Sequence, residues 1–407
     1  MQDLNRRDFL AAGLGAMIGT PALLAQAGAP PDTELKRGEQ SGQTSGKTFQ
    51  RHRFGVNYTP TKSWLFFWND FDADAVARDL DAIASLGMDH FRIFAMWPYF
   101  QPNRTWVSPG HLNRLEQLMR LAAQRNLDVC VSMLNGWITK KLQPVYDEPG
   151  QFYTSPTLFA AQTLYFTEVS KALRGHANFL GFDIGNEMNC CWSTGRDTAV
   201  GDAWLDRIMT LAETLCPGQT HVMGVDHQPW FYPETFSAER LARRPSLVAL
   251  HCWILFTGAL KRGGPLDPPC VKLAAGMAAL ARAFAGDPAK PIWLQEYGAS
   301  AEWMDGKSIP RFMEATTHTA MDEGVAWFTW WASHDVDRRL EFSSLEYELG
   351  LITLDNKVKD RGRMFKAIAE QYRGKPVTPR SSSVLPPPQE RSMESTWQWL
   401  LNWMDRK

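Results

Sequence analysis

Two glutamates stand where short apolar runs end. Asn186-Glu187 closes F-L-G-F-D-I-G-N (179–186), and Glu296, followed by Tyr297, closes P-I-W-L-Q-E (291–296). Two facing carboxyl groups can divide the work of breaking a carbon–oxygen bond: one protonates the departing oxygen, the other attacks carbon or activates water. Cleavage of a glycosidic bond through an oxocarbenium-like transition state needs such a pair. At about 5 to 5.5 Å apart the second carboxylate attacks directly and configuration is retained, whereas about 6.5 to 9.5 Å leaves room for water and inversion. The sequence leaves that distance open. Other polar groups sit at similar places: Arg92 in H-F-R-I-F (90–94), His251 in L-V-A-L-H-C-W (247–253), and Trp330 with Trp331 at the end of V-A-W-F-T-W-W (325–331). Structural readings stand beside these, namely an ion pair for Arg92, a satisfied core histidine for His251 and core packing for Trp330. His227 and Asp226 either line the site or merely cap a strand end. His334, Asp335 and Asp337 carry metal-type side chains, but loop Asp and His are usually solvated, and neither a metal nor a cofactor is expected.

These groups need elements that bring them to one place. From Phe54 to about Arg373, short apolar runs alternate with amphipathic ones, a strand-then-helix rhythm. The strands fall at 54–58, 90–94, 127–134, 179–186, 221–226, 247–253, 291–296 and 325–331. The helices fall at 72–86, 109–125, 155–173, 198–215, 233–243, 268–284, 310–322 and 363–372. Near-continuous apolar strands mean burial on both faces, as parallel sheets require. No G-x-G-x-x-G loop follows the first strand, which disfavours a doubly wound open sheet. The expected fold is therefore an α/β (β/α)8 TIM barrel, a single catalytic domain over residues 51–373. Catalytic groups of such barrels lie at the carboxyl ends of the strands, where all the residues above fall.

The flanks read differently. Asn5-Arg6-Arg7-Asp8-Phe9-Leu10, an apolar stretch to Ala25, and Ala25-Gln26-Ala27 make residues 1–27 a twin-arginine signal peptide, implying a periplasmic or secreted protein. Residues 28–50 read as a flexible leader. Residues 374–407 form a Pro- and Ser-rich tail ending in a helix from about Arg391, with Trp397, Leu400, Leu401 and Met404 on one side. The formal net charge of -1 gives no pull towards nucleic acid, and no membrane insertion is expected after signal removal. Cys130 and Cys252 read as buried small hydrophobes. Cys190-Cys191 is either a vicinal disulfide or two free thiols, the latter preferred.

The pattern resembles glycoside hydrolase family 5, in the superfamily whose acid/base follows strand four and whose nucleophile ends strand seven. The resemblance spans Phe54 to Trp331 and rests on Arg92 in F-R-I-F, Asn186-Glu187, His251, Glu296 and Trp330. It implies Glu187 as acid/base and Glu296 as nucleophile. Arg92 would keep the nucleophile ionised, Asn186 would bind the sugar 2-hydroxyl, Trp330 would floor the sugar, and His251 would tune the polar network. Family members often carry Tyr two residues after the strand-six His, where this chain has Trp253. The strand-three position often held by His falls among Ser132 to Asn135.

Aromatic residues crowd the strand-to-helix loops: of 17 Trp, most lie there, including Trp64, Trp68, Trp97, Trp106, Trp137, Trp192, Trp230 and Trp303. Flat apolar walls with polar rims suit pyranose rings. Trp97, Trp253 and His227 join Arg92, Asn186, His251 and Trp330 as candidate substrate-binding residues. Long loops at 59–71, 254–267 and 332–359 suggest a pocket and exo action on short β-linked oligosaccharides. Within the resembled family, F-G-V-N-Y-T-P (54–60), W-P-Y-F-Q-P-N-R (97–104) and W-L-Q-E-Y-G-A (293–299) look most like β-mannosidase-like members. The alternatives are an endo-β-1,4-mannanase or endo-β-glucanase, or a carbohydrate-binding barrel without catalysis. Oligomeric state is left open.

Overall fold

The computed structural model describes residues 49–135, 146, 150–378 and 385–406. Its strands are β1 (Arg53–Asn57), β2 (His90–Phe94), β3 (Asp128–Asn135), β4 (Phe179–Asn186), β5 (Val222–Gly224), β6 (Val248–Cys252), β7 (Ile292–Tyr297) and β8 (Trp327–Trp330). All pairings are parallel, in the order β5-β4-β3-β2-β1-β8-β7-β6. Chain-order neighbours pair all round, first strand to last, and the ladder is interrupted only between β5 and β6. That is a nearly closed (β/α)8 barrel.

Local chemistry starts the helices where the sequence predicts. Asp72 accepts backbone N–H bonds from Asp74 and Ala75 ahead of the helix Ala73–Ser85. Ser108 and Ser155 cap helices Pro109–Ala123 and Pro156–Leu173, each with Pro at the first position, where the missing N–H costs nothing. Two predicted helices differ from the expectation. The one placed at 233–243 begins only at Ala238, because Thr235 has φ +61°, outside any right-handed helix. The one placed at 268–284 divides at Lys272 into Pro268–Val271 and Leu273–Ala285.

Strand alternation separates two packed layers. Inside the lower barrel, Trp293 donates its indole N–H to Thr329 Oγ1 at 2.7 Å, and His90 Nε2 lies 2.8 Å from the same oxygen. Outside, Phe54 stacks on Phe328 and meets Phe365 of the last barrel helix, Asp360–Tyr372. Trp293, His90 and Thr329 thus fill the lower part of the barrel.

The tail returns to the barrel. Val377 N–H donates to Gln50 O, and the helix Met393–Met404 starts with a Ser392–Ser395 capping box. Its Trp397, Leu400, Trp403 and Met404 are buried. Gly276 on the helix Leu273–Ala285 makes the docking close: a Cβ there would lie 2.9 Å from Leu400. Among the described residues no helix is long and apolar enough to cross a membrane. The proposed signal peptide and most of the leader lie outside the described residues. Cys130, Cys216, Cys252 and Cys270 are free thiols, and of these Cys130, Cys252 and Cys270 are buried.

Candidate active site

The upper barrel ends in a buried charge network centred on Arg92 of β2. Its Nη1 donates to Glu296 Oε1 at 2.7 Å and to Asn57 Oδ1 at 3.0 Å. Nε and Nη2 donate to Asp183 Oδ2 at 3.0 and 2.6 Å, and Nη2 also reaches Asn186 Oδ1 at 2.7 Å. A guanidinium has five N–H groups in a rigid fork, so acceptors on β1, β4 and β7 fix its direction completely. Asp183 is held in turn by Ser132 Oγ at 2.7 Å and the Gly224 N–H at 2.9 Å. Asp183 and Asn57 escaped the sequence reading. The available signal was an acid inside the apolar run F-L-G-F-D-I-G-N, two strands from an arginine that needed a partner.

Glu187 follows β4 with φ +47°, and its N–H donates to Gly224 O at 2.8 Å. This left-handed turn is uncommon for a residue with a side chain and is typical of places where a chain must re-aim one. Glu296 owes its direction to irregular pairing. Register shifts between Leu250 and His251 on β6, and between Leu294 and Tyr297 on β7, let consecutive Gln295 and Glu296 both reach the interior. Tyr297 points outwards, its hydroxyl 2.9 Å from Thr317 Oγ1 on an outer helix.

Between the glutamates stands His251, its Nδ1 3.0 Å from Glu187 Oε1 and 3.4 Å from Glu296 Oε2. One carboxylate oxygen from each glutamate and a ring nitrogen of His251 lie within 4.8 Å of one another. Trp253 brings its indole N–H to Glu296 Oε2 at 3.4 Å. Burial pushes the Glu296 carboxyl above the usual range; His251 and Arg92 pull it back and the Glu187 charge adds to the rise. Burial opposes charge on His251, but Glu296 and Glu187 outweigh it and the ring holds its proton above the usual value. Two carboxylates and an imidazole are ligand types that cations also use. Here one Glu296 oxygen is already taken by a guanidinium, and a metal ion would have to sit beside that fixed positive charge.

Arg92, Asn186, Glu187, His251, Trp253 and Glu296 therefore converge. Trp330 does not, and its expected place under the sugar is a correction. Its ring packs 4.9 Å from Tyr297 and 6.3 Å from Phe365, and its indole N–H goes to Leu349 O, all in the outer layer. The next residue, Trp331, takes the inward side. It packs 5.7 Å from Phe94, whose ring lies 4.7 Å from the Arg92 guanidinium, and it donates to Glu346 Oε2 at 2.9 Å. Its peptide bond to Ala332 is cis. The inward position expected of Trp330 falls to its neighbour because alternation fixes a phase only where the strand is regular.

Trp97 is buried against Tyr146 and Phe152 with its N–H on Gln101, so the contacts described for it staple loops. His227 stands beside Asp226, 3.6 Å away, and packs edge-on against Phe231. Trp64, Trp68 and Trp230 are core side chains, while Phe66 and Trp106 are exposed. Trp253, Phe256 and Trp303 form a T-shaped aromatic group next to Glu296. Trp137 lies outside the described residues.

Residues 45–217 match the family model described as cellulase, glycosyl hydrolase family 5. A GH5_18 protein from Streptomyces cattleya, in complex with GlcNAc, is 33% identical, with 87% of this chain and 90% of that chain covered and a TM-score of 0.78. A Glu→Ala variant of GH5_18 from the same organism, in complex with Manβ1-4GlcNAc, is 32% identical, with 87% and 91% covered and a TM-score of 0.77. A GH5_18 protein from Bifidobacterium longum subsp. infantis is 30% identical, with 81% of each chain covered and a TM-score of 0.76. No curated protein sequence matches the chain. With a barrel that matches these relatives over most of its length, the chain belongs to glycoside hydrolase family 5.

Proposed function

We propose that the chain is a retaining, exo-acting β-mannosidase that removes single mannosyl residues from short β-linked oligosaccharides. The observation that carries the chemistry is the approach of Glu187 and Glu296 oxygens to within 4.8 Å, the short separation that suits direct attack on a sugar rather than attack by an interposed water. Glu296, held by Arg92, is the nucleophile, and Glu187 is the acid that protonates the departing oxygen. Glu187 then acts as base for the water that releases the sugar from Glu296. Asn186, turned by Arg92 Nη2, offers its amide N–H groups to the sugar hydroxyls, and Trp331 supplies the apolar face.

The exo reading draws support from the loops. Trp64 in the 59–71 loop packs 4.7 Å from Phe342 in the 332–359 loop, so two walls of the mouth are joined. The 254–267 loop is pinned by the C-terminal helix, with Trp397 donating to Thr257 O. The sugar assignment draws support from the similar Streptomyces cattleya and Bifidobacterium longum proteins that hold Manβ1-4GlcNAc. A disaccharide of that class is the proposed substrate. We further propose export by the twin-arginine route, on the Arg6-Arg7 motif, the apolar stretch that follows it and Ala25-Gln26-Ala27.

The test is a comparison of aryl β-mannoside, aryl β-glucoside, Manβ1-4GlcNAc and mannan. Release of mannose with initial β-configuration from the first and third supports the proposal. Rapid viscosity loss of mannan with little free mannose would replace it with endo action, and inverted product would remove the double displacement.

A further inference from the structure

Gln295 precedes Glu296 on β7, is fully buried, and has no part in the reaction set out above. Its amide oxygen lies 3.0 Å from Nε2 of His251. The opposite ring nitrogen, Nδ1, faces Glu187 Oε1 at 3.0 Å and Glu296 Oε2 at 3.4 Å. An amide oxygen can only accept, so the ring carries its fixed proton on Nε2, and Nδ1 is where a proton comes and goes. Two further features hold this arrangement. Gln295 is anchored through its carbonyl oxygen, which accepts from Asn57 Nδ2 at 3.0 Å. Space for the pair comes from a third strand: a Cβ on Gly224 of β5 would stand 2.5 Å from Gln295 Oε1 and 2.7 Å from His251 Nε2. Any side chain at that position would drive into the pair. The charged groups that bear on the ring are Glu187 from β4, Glu296 from β7 and Arg92 from β2.

We infer that Gln295 is a positioning residue for the acid–base half of the reaction: it turns Nδ1 of His251 to Glu187, so that ring and carboxyl hold one proton between them. This rests on the retaining mechanism proposed above. In the first half, Nδ1–H of the imidazolium passes its proton to the Glu187 carboxylate, leaving a neutral ring and a carboxylic acid. Glu187 gives that proton to the glycosidic oxygen as the carbon–oxygen bond breaks and Glu296 bonds the anomeric carbon. In the second half, Glu187 takes a proton from the attacking water as the ester to Glu296 breaks, and returns it to Nδ1. One proton moves at each step and the enzyme ends as it began.

Two measurements on the full chain test this. Nitrogen-15 NMR of the unsubstituted protein should show His251 Nε2 protonated throughout and Nδ1 titrating. A neutral ring with its proton on Nδ1 would overturn the inference whether or not the substrate assignment is right. Kinetically, Gln295→Leu removes an acceptor from the imidazolium, so the basic limb of the kcat/KM profile should move to lower pH. Gln295→Glu adds a negative acceptor and should move it to higher pH. Gln295→Leu should lose at least tenfold more activity on a poor leaving group than on a nitrophenolate-type one. Equal losses on both, with unmoved limbs in both variants, would mark Gln295 as a packing residue only. If the unsubstituted enzyme cleaves no β-mannoside but cleaves another β-glycoside, the sugar assignment fails and the same two variants still test Gln295 on that substrate.

Discussion

The indole N–H of Trp331 meets the buried carboxylate of Glu346 at 2.9 Å, tying the last inward side chain of the barrel mouth to a turn in the long loop after β8. The same loop receives the indole N–H of Trp330 from the outer layer. Two consecutive tryptophans thus fasten one loop from opposite sides of a strand, and they should respond differently to mutation.

Trp331→Ala is expected to lower kcat/KM by about 100-fold or more, the scale on which loss of substrate positioning acts. Trp330→Ala should cost about 3–5 kcal/mol of stability as a large buried side chain. Trp330→Phe, which keeps most of the packing, should retain near-normal kcat/KM. Steady-state kinetics beside denaturant titration separates the two. Loss of substrate affinity in Trp330→Phe with normal values in Trp331→Ala would reverse the assignment.

Arg92 is paired with Asp183 and Glu296 where all three side chains are almost fully buried. Arg92→Met leaves two carboxylates without their cation, which should destabilise the protein by about 3–5 kcal/mol and remove activity together. Arg92→Lys keeps the charge but not the five-donor fork and should recover only part of either. Full activity in Arg92→Met would show that Glu296 does not depend on it.

The two glutamates should fail in different ways. Glu296→Ala removes the attacking group and should abolish turnover on every substrate. Glu187→Ala should reduce activity by about 10²–10⁴-fold where the leaving group is poor, and much less where it is good, since acid assistance matters in proportion to leaving-group basicity. A leaving-group series with initial rates checks both. A flat series for Glu187→Ala would place the acid elsewhere.

The C-terminal helix should matter to the site as well as to the fold. Thr396 donates to Phe231 O, Trp397 to Thr257 O, and Arg391 to Pro229 O, so it grips the loops after β5 and β6. Trp397→Ala should cost about 3–5 kcal/mol, and hydrogen exchange should rise in residues 254–262 before it rises in the barrel strands. Unchanged exchange there would make the helix a passive cover.

Stability should carry the proton inventory of the site. The folded-state value of His251 is raised, so its contribution is fully present below the ordinary imidazole range and is lost as pH climbs through the raised value. Glu296, also raised, has the same sign from its own, more acidic range upward. His251→Asn should therefore be most destabilising, relative to the unsubstituted protein, on the acidic side, with the gap narrowing as pH rises past neutrality. Thermal denaturation across a pH series measures it, and a gap that widens with pH would contradict the raised value.

The sequence by itself determined the barrel and its two glutamates. Eight apolar runs separated by capped amphipathic segments are local patterns, and strand ends of a parallel barrel share one face, so Glu187 and Glu296 followed from their positions along the chain. Tertiary structure decided the rest. Whether Trp330 or Trp331 turns inward depends on strand phase at an irregular end. That Gln295 and Glu296 both turn inward depends on register shifts against neighbouring strands. That Asp183 and Asn57 serve Arg92 depends on three strands meeting round one guanidinium. Periodicity is a property of one segment, whereas phase at a bulge and the partner of a buried charge belong to segments far apart in sequence, and only their packing settles them.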